Sequence, residues 1–176
     1  TIGRLVQRLL DAGFQRIGIA MPAQMDDHAN HHWLAGYQTF QALTAARYRV
    51  PHLITDAWSP RTLLRWYERW RPEAVIGIGS DVVRWLREAG LKVPGDVSCT
   101  TLYWQEQRAY LSGFYQNHEL MAAGAVDLVV GQLNLNERGI PASHKTTLVQ
   151  AEWKDGATLR PRVRVVEEAP LRVWKR

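Results

Sequence analysis

Short apolar runs alternating with helical segments limit this fold more than any other feature of the 176-residue chain. RIGIAM (16–21), RVPHLIT (49–55), AVIGIG (74–79) and VSCTTLY (97–103) each have strand composition and length. Between them lie helical stretches at 32–46, 59–70 and 81–89. Ser59-Pro60 opens the second of these with an N-cap residue and a proline in the first helical position, and Pro72 lies just beyond its end. Strands separated by helices in this rhythm build right-handed βαβ units, so the expected fold is α/β, a doubly wound parallel sheet covered on both faces.

The segment GLKVPGDVSCTTLYW (90–104) shows how one unit closes. Gly90 suits the residue just past a helix end, Pro94 cannot continue a helix, and the β-branched run after Asp96 returns the chain to the sheet. At the N-terminus, Ile2, Leu5, Val6, Leu9 and Leu10 repeat at helical spacing until Gly13. Near the other end, 117–135 has helical spacing, 146–152 is expected to be a strand, and Lys154-Asp155-Gly156 a turn. The last fifteen residues show no pattern, and no repeat or low-complexity segment is present.

Composition narrows the function classes. Apolar residues make up 46% of the chain, enough for a core, and no apolar run approaches the roughly 20 residues of a membrane span. TIGRLVQRLLDAGF is amphipathic and lacks the features of a signal peptide; with no initiator Met, the sequence is expected to be part of a longer chain. The single cysteine, Cys99, permits no disulfide framework within one chain and fits a cytoplasmic location. The net charge of +5 allows a nucleic-acid partner, but the arginines are scattered along every element, which favours ordinary solvated surface.

In an open parallel sheet, ligands bind beyond the carboxyl ends of the strands. That rule selects the loops 22–32, 56–59, 79–82 and 103–109. Their candidates are Asp26, Asp27, His28, Trp33, Asp56, Trp58, Ser80, Asp81, Tyr103 and Trp104. Carboxylates that accept from hydroxyls, next to aromatic faces, suit a neutral polyhydroxylated ligand such as a sugar. DDHANHH (26–32) fits no metal-site template, and GIGSD (77–81) is only a partial phosphate loop, so no metal or cofactor is expected. No nucleophile is paired with a base, so nothing argues for an enzyme.

Several motifs carry a family resemblance. LLDAGFQRIGIA (9–20), WLAGYQTFQAL (33–43), EAVIGIGSD (73–81), GLKVPGDVS (90–98) and GFYQNHELMAAGAVDLVVGQL (113–133), with the variant end RGIPASHKTTLVQAEWKDGATLR, together resemble the effector-binding domain of LacI/GalR (lactose-repressor) transcription regulators. The resemblance implies a type I periplasmic-binding-protein-like C-terminal lobe with part of a second lobe. It places an effector-binding and dimerisation domain at 1–160 and a tail at 161–176. The lobe core would be 14–112 plus 144–160, and helices 2–12 and 117–135 would border a missing lobe with their apolar faces partly uncovered.

The implied partners are a small-molecule effector of the carbohydrate class, a second copy of the chain, and operator DNA through a helix-turn-helix domain that has no counterpart here. The expected effector contacts are Asp27, His28, Trp33, Trp58, Asp81, Tyr103 and Trp104; the expected dimer contacts are Val82, Val83, Trp85 and Leu86. Asp81 keeps the family's identity, whereas Trp33 stands where the family has an Arg and Tyr103 or Trp104 where it has an Asp, so no known effector carries over. A transporter's solute-binding protein and a small α/β sugar enzyme, with Asp81 or His28 as base, are the alternatives.

Overall fold

The computed structural model describes residues 2–140, 143 and 146–160. In chain order its elements are α1 (Ile2–Asp11), β1 (Ile17–Pro22), α2 (Ala23–His28), α3 (His32–Leu43), β2 (Leu53–Thr55), α4 (Pro60–Trp70), β3 (Ala74–Gly77), α5 (Asp81–Glu88), β4 (Ser98–Thr101), β5 (Ser112–Tyr115), α6 (His118–Asn134) and β6 (Glu152–Lys154). The six strands lie in the order β2-β1-β3-β4-β5-β6. The first five are parallel, with Ile17 beside Ala74, Ala74 beside Ser98 and Thr100 beside Ser112. β6 closes the edge antiparallel, with Trp153 beside Phe114.

Strand pleating divides the core in two. Ile17, Ile19, Met21, Ala74, Ile76 and Leu102 face a cluster built with α1 and α3. Ala20, Val75 and Cys99 face the other side, where Leu63, Trp66 and Tyr67 of α4 meet Val82, Val83, Trp85 and Leu86 of α5. β1 and β3, buried on both faces, have no polar alternation and appear in the sequence as nearly continuous apolar runs, whereas buried β4 carries Ser98, Thr100 and Thr101.

α4 begins as its sequence directs: the Ser59 side chain accepts from the Thr62 amide at 3.3 Å, with Pro60 in the first turn. Its C-terminal carbonyls are met by Arg16, whose guanidinium donates to the Trp70 and Arg71 carbonyls and, at 2.9 Å, to that of Arg47. A cation suits this end of the helix dipole.

The two terminal helices behave differently. α1 buries Ile2, Leu5, Val6, Leu9 and Leu10 in the first cluster. At roughly 1.5–3 kcal/mol for each large side chain fully buried, that makes α1 part of this lobe's core, so its face is not the partly uncovered one expected. A Cβ on Gly36 would stand 2.1 Å from Ile2 Cγ2, so α3 lies close against α1. α6, in contrast, has no buried residue; Leu120, Val126 and Leu133 are 60–69% exposed.

The structure corrects three local expectations. Residues 22–32 form α2 and a tight turn with Asn30 and His31 at positive φ, rather than an open loop. The strand expected at 146–152 begins only at Glu152, and Lys154, expected in a turn, ends it. SGFY (112–115) supplies a fifth parallel strand that the local sequence pattern does not announce. Residues 161–176, the expected tail, lie outside the described residues.

Candidate functional site

The carboxyl ends of β1 to β5 lie along one edge of the sheet, and two polar residues organise that edge. Buried Asp26 accepts from the Leu34 amide at 3.0 Å and pairs with His31 Nδ1 at 3.1 Å. α3 has no side-chain cap of its own, so Asp26 takes over the capping role. Thr101 links two further loops. Its hydroxyl oxygen accepts from the Gly79 amide at 3.2 Å and from the Tyr103 amide at 3.1 Å, and its proton goes to the Tyr103 carbonyl at 3.2 Å.

The expected ligand residues occupy distinct settings around this frame. Asp27 and His28 are exposed on α2, with Asp27 3.6 Å from His31. Trp33 is half-buried against the first core cluster. Trp58 lies on the other side of the sheet, packed on Trp85 with ring centroids 5.1 Å apart. Asp81 pairs with Arg84 on its own helix at 2.9 Å. Arg108, outside the expected set, brings its guanidinium to 3.0 Å from where a Gly79 Cβ would stand, over the β3–α5 loop.

Tyr103 and Trp104 are brought together with groups that sequence reasoning missed. They line a cleft of about 430 Å³ with Tyr115, His118, Glu119 and Lys154. Tyr103 meets His118 edge-on at 5.6 Å, and Trp104 meets Tyr115 at 5.8 Å. The Tyr115 hydroxyl donates to the Glu119 carboxylate, which pushes the phenol's pKa up and the carboxyl's down. The buried Trp104 Nε1 has no acceptor among the described residues. Perpendicular rings beside hydrogen-bonding groups can hold the C–H face and hydroxyls of a small polar molecule. Tyr115 and His118 become legible only with β5 recognised, because the strand-end rule then marks its C-terminal loop too.

The expected dimer residues need a correction. Val82, Val83, Trp85 and Leu86 are buried in the second core cluster, none more than 8% exposed. Packed against α4 and the sheet, they offer no surface to another chain; the exposed side of α5 carries Arg84, Arg87 and Glu88 instead.

A second cavity, about 500 Å³, lies between α1 and the β5–β6 pair. Its groups are largely engaged with one another: Arg8 covers the Trp153 ring at 4.3 Å and approaches Asp155 at 3.7 Å. Among the described residues, no group of three or more His, Cys, Asp and Glu is arranged to hold a metal ion, and no helix is long and apolar enough to cross a membrane.

A mostly parallel sheet with helices on both faces and a cleft at its strand ends defines the class: an α/β lobe of the periplasmic-binding-protein-like type. The profile of the periplasmic binding protein-like domain matches residues 6–159, and the chain belongs to that family. No curated protein matches the sequence.

Among solved structures, the fold is similar to a sugar-binding LacI-family transcriptional regulator from Escherichia coli complexed with phosphate, at 21% identity and TM-score 0.67 over 92% of this chain and 61% of that one. It is also similar to the transcription regulator CcpA of Lactococcus lactis, at 17% identity and TM-score 0.67 over 90% of this chain and 61% of that one. A dimeric Lac repressor with an 11-residue C-terminal deletion matches at 20% identity and TM-score 0.68 over 92% and 61%. The chain thus spans about three fifths of each of these regulators.

Proposed function

We propose that this chain is the ligand-sensing lobe of a LacI-type, DNA-binding transcriptional regulator of the cytoplasm, without catalytic activity, responding to a sugar or sugar derivative. The cleft formed by Tyr103, Trp104, Tyr115 and His118 at the strand ends carries the reading. Its rings supply stacking surface, and Glu119 and Lys154 supply an acceptor and a donor at the rim. The exposed apolar side chains of α6, which begins at this same edge, support a second lobe closing over the cleft.

In this reading, effector binding favours one arrangement of the two lobes over another. The change passes through a homodimer to helix-turn-helix heads outside this chain. The dimer contact falls on exposed surface, because the apolar side of α5 is spent on the core.

The test is a thermal-shift screen of the full gene product against monosaccharides, disaccharides, sugar acids and purines. A specific ligand raises the melting temperature by mass action, by an amount that grows with its concentration. The expected result is a saccharide response that Trp104→Ala abolishes. A response unchanged in Trp104→Ala would remove this cleft from the reading, and a purine response would replace the sugar.

A further inference from the structure

The outward face of α4 carries Arg61, Arg65 and Arg69, spaced i, i+4, i+8, so the three form one row along the helix. The opposite face buries Leu63, Trp66 and Tyr67. Beyond the helix end lie two further exposed arginines, Arg71 and Arg47, whose backbone carbonyls both accept from the Arg16 guanidinium. Three of these side chains lie over rings: Arg47 over Tyr48 at 4.8 Å, Arg69 over Trp70 at 5.2 Å and Arg71 over Tyr67 at 5.7 Å. Glu68 is the one carboxylate on α4, and the ion pairs among the described residues involve none of the five arginines.

Helix stability accounts for Arg69, a cation in the last turn, but not for Arg61, which sits in a first turn that has no acidic residue, where the dipole opposes a cation. Like charges at i, i+4 also disfavour a helix. We propose that this face docks the phosphate backbone of double-stranded nucleic acid without sequence preference.

Three observations select that occupant. Guanidinium groups match phosphate oxygens two bonds at a time. A stripe of arginines along one exposed helix face is the local electrostatic footprint of nucleic-acid binding. A tightly held acidic peptide needs desolvated apolar anchors beside the charges, and the large apolar side chains of α4 lie buried or half-buried against the core. A second copy placed here by two-fold symmetry would set one arginine row against another. The docking adds affinity and no sequence information, because phosphates carry none.

The experiment uses the 176-residue chain and a fluorescein-labelled random-sequence 30-base-pair duplex, with anisotropy titrations from 50 to 200 mM KCl. The expected result is binding that weakens with salt. In Arg61→Gln/Arg65→Gln/Arg69→Gln, the log–log salt slope should fall by about 2.7, roughly 0.9 for each phosphate no longer neutralised. Arg138→Gln, a charge removed beyond α6, should keep the wild-type slope. Gln retains helix propensity, and the single substitutions, each removing about 0.9 of slope, serve where the triple variant does not fold. No binding at 50 mM KCl, a wild-type slope in the arginine variants, or equal affinity for polyglutamate of matched charge would overturn the proposal, the last in favour of an acidic protein partner.

Discussion

The indole of Trp58 packs on that of Trp85, with ring centroids 5.1 Å apart and planes inclined at 45°. One contact thereby reassigns two residues. Trp58 is held on the α4–α5 side of the sheet, away from the cleft lined by Tyr103 and Trp104, and Trp85 is buried in the core.

Trp58→Ala should therefore destabilise the chain by about 3 kcal/mol, at the lower end for a large aromatic because Trp58 is half-buried. It should leave saccharide affinity unchanged. Urea denaturation of the variant, set against Trp104→Ala in the ligand screen, separates the two roles: Trp104→Ala should lose ligand response with the smaller change in stability.

Asp26→Ala should cost about 2 kcal/mol, because it removes the acceptor of the Leu34 amide and the partner of His31. Hydrogen exchange at the Leu34 amide should accelerate selectively. Protection at Leu34 equal to wild type would show that α3 is capped by another group.

A Cβ on Gly113 would stand 2.3 Å from the Thr101 carbonyl oxygen, a backbone atom that cannot turn aside. Gly113→Ala should cost about 3 kcal/mol through forced separation of β4 and β5. Gly124→Ala in α6 is the control, since nothing lies within 4 Å of the new methyl. It should raise stability by about 0.5–1 kcal/mol through helix propensity. Urea midpoints of the two variants should move in opposite directions.

Burial pushes the Cys99 thiol from an ordinary 9.0 up to about 12, with Arg87 opposing the shift. The folded state holds this proton more tightly than the unfolded chain does. Its contribution to stability is therefore complete below about 9 and is lost as pH rises toward about 12. At pH 8 the native thiol should not react with Ellman's reagent, and one thiol should appear on unfolding in urea. Rapid reaction of the folded protein would contradict the burial of β4.

Much of the sheet was legible because β1 and β3, covered on both faces, are apolar runs, β4 is rich in β-branched residues, and the helices between them carry local stop and start signals. The Ser59-Pro60 start of α4 and the end of α5 before Gly90 follow from such signals within a few residues. β5 gave less warning. Its position depends on neighbours far along the chain: the Ser112 amide donates to Thr158 Oγ1 at 3.0 Å, and the Gly156 amide to Ser112 Oγ at 3.1 Å. With β5 hidden, its contribution to the cleft was hidden as well.

By itself, the sequence determined the α/β alternation, the edge of the sheet where a ligand would sit, and the apolar face of each amphipathic helix. Each of these follows from the period of side chains along a strand or helix, which is a local property of the backbone. Only the tertiary structure decided what each face meets. The spacing of Val82, Val83, Trp85 and Leu86 serves equally for a core or an interface, and α4 laid beside α5 makes it core. The apolar residues of α1 are covered while those of α6 are exposed. Arg61, Arg65 and Arg69 are three scattered letters until one helix sets them in a row on its outward side. Periodicity says which residues share a face; the order and packing of distant elements says what covers it.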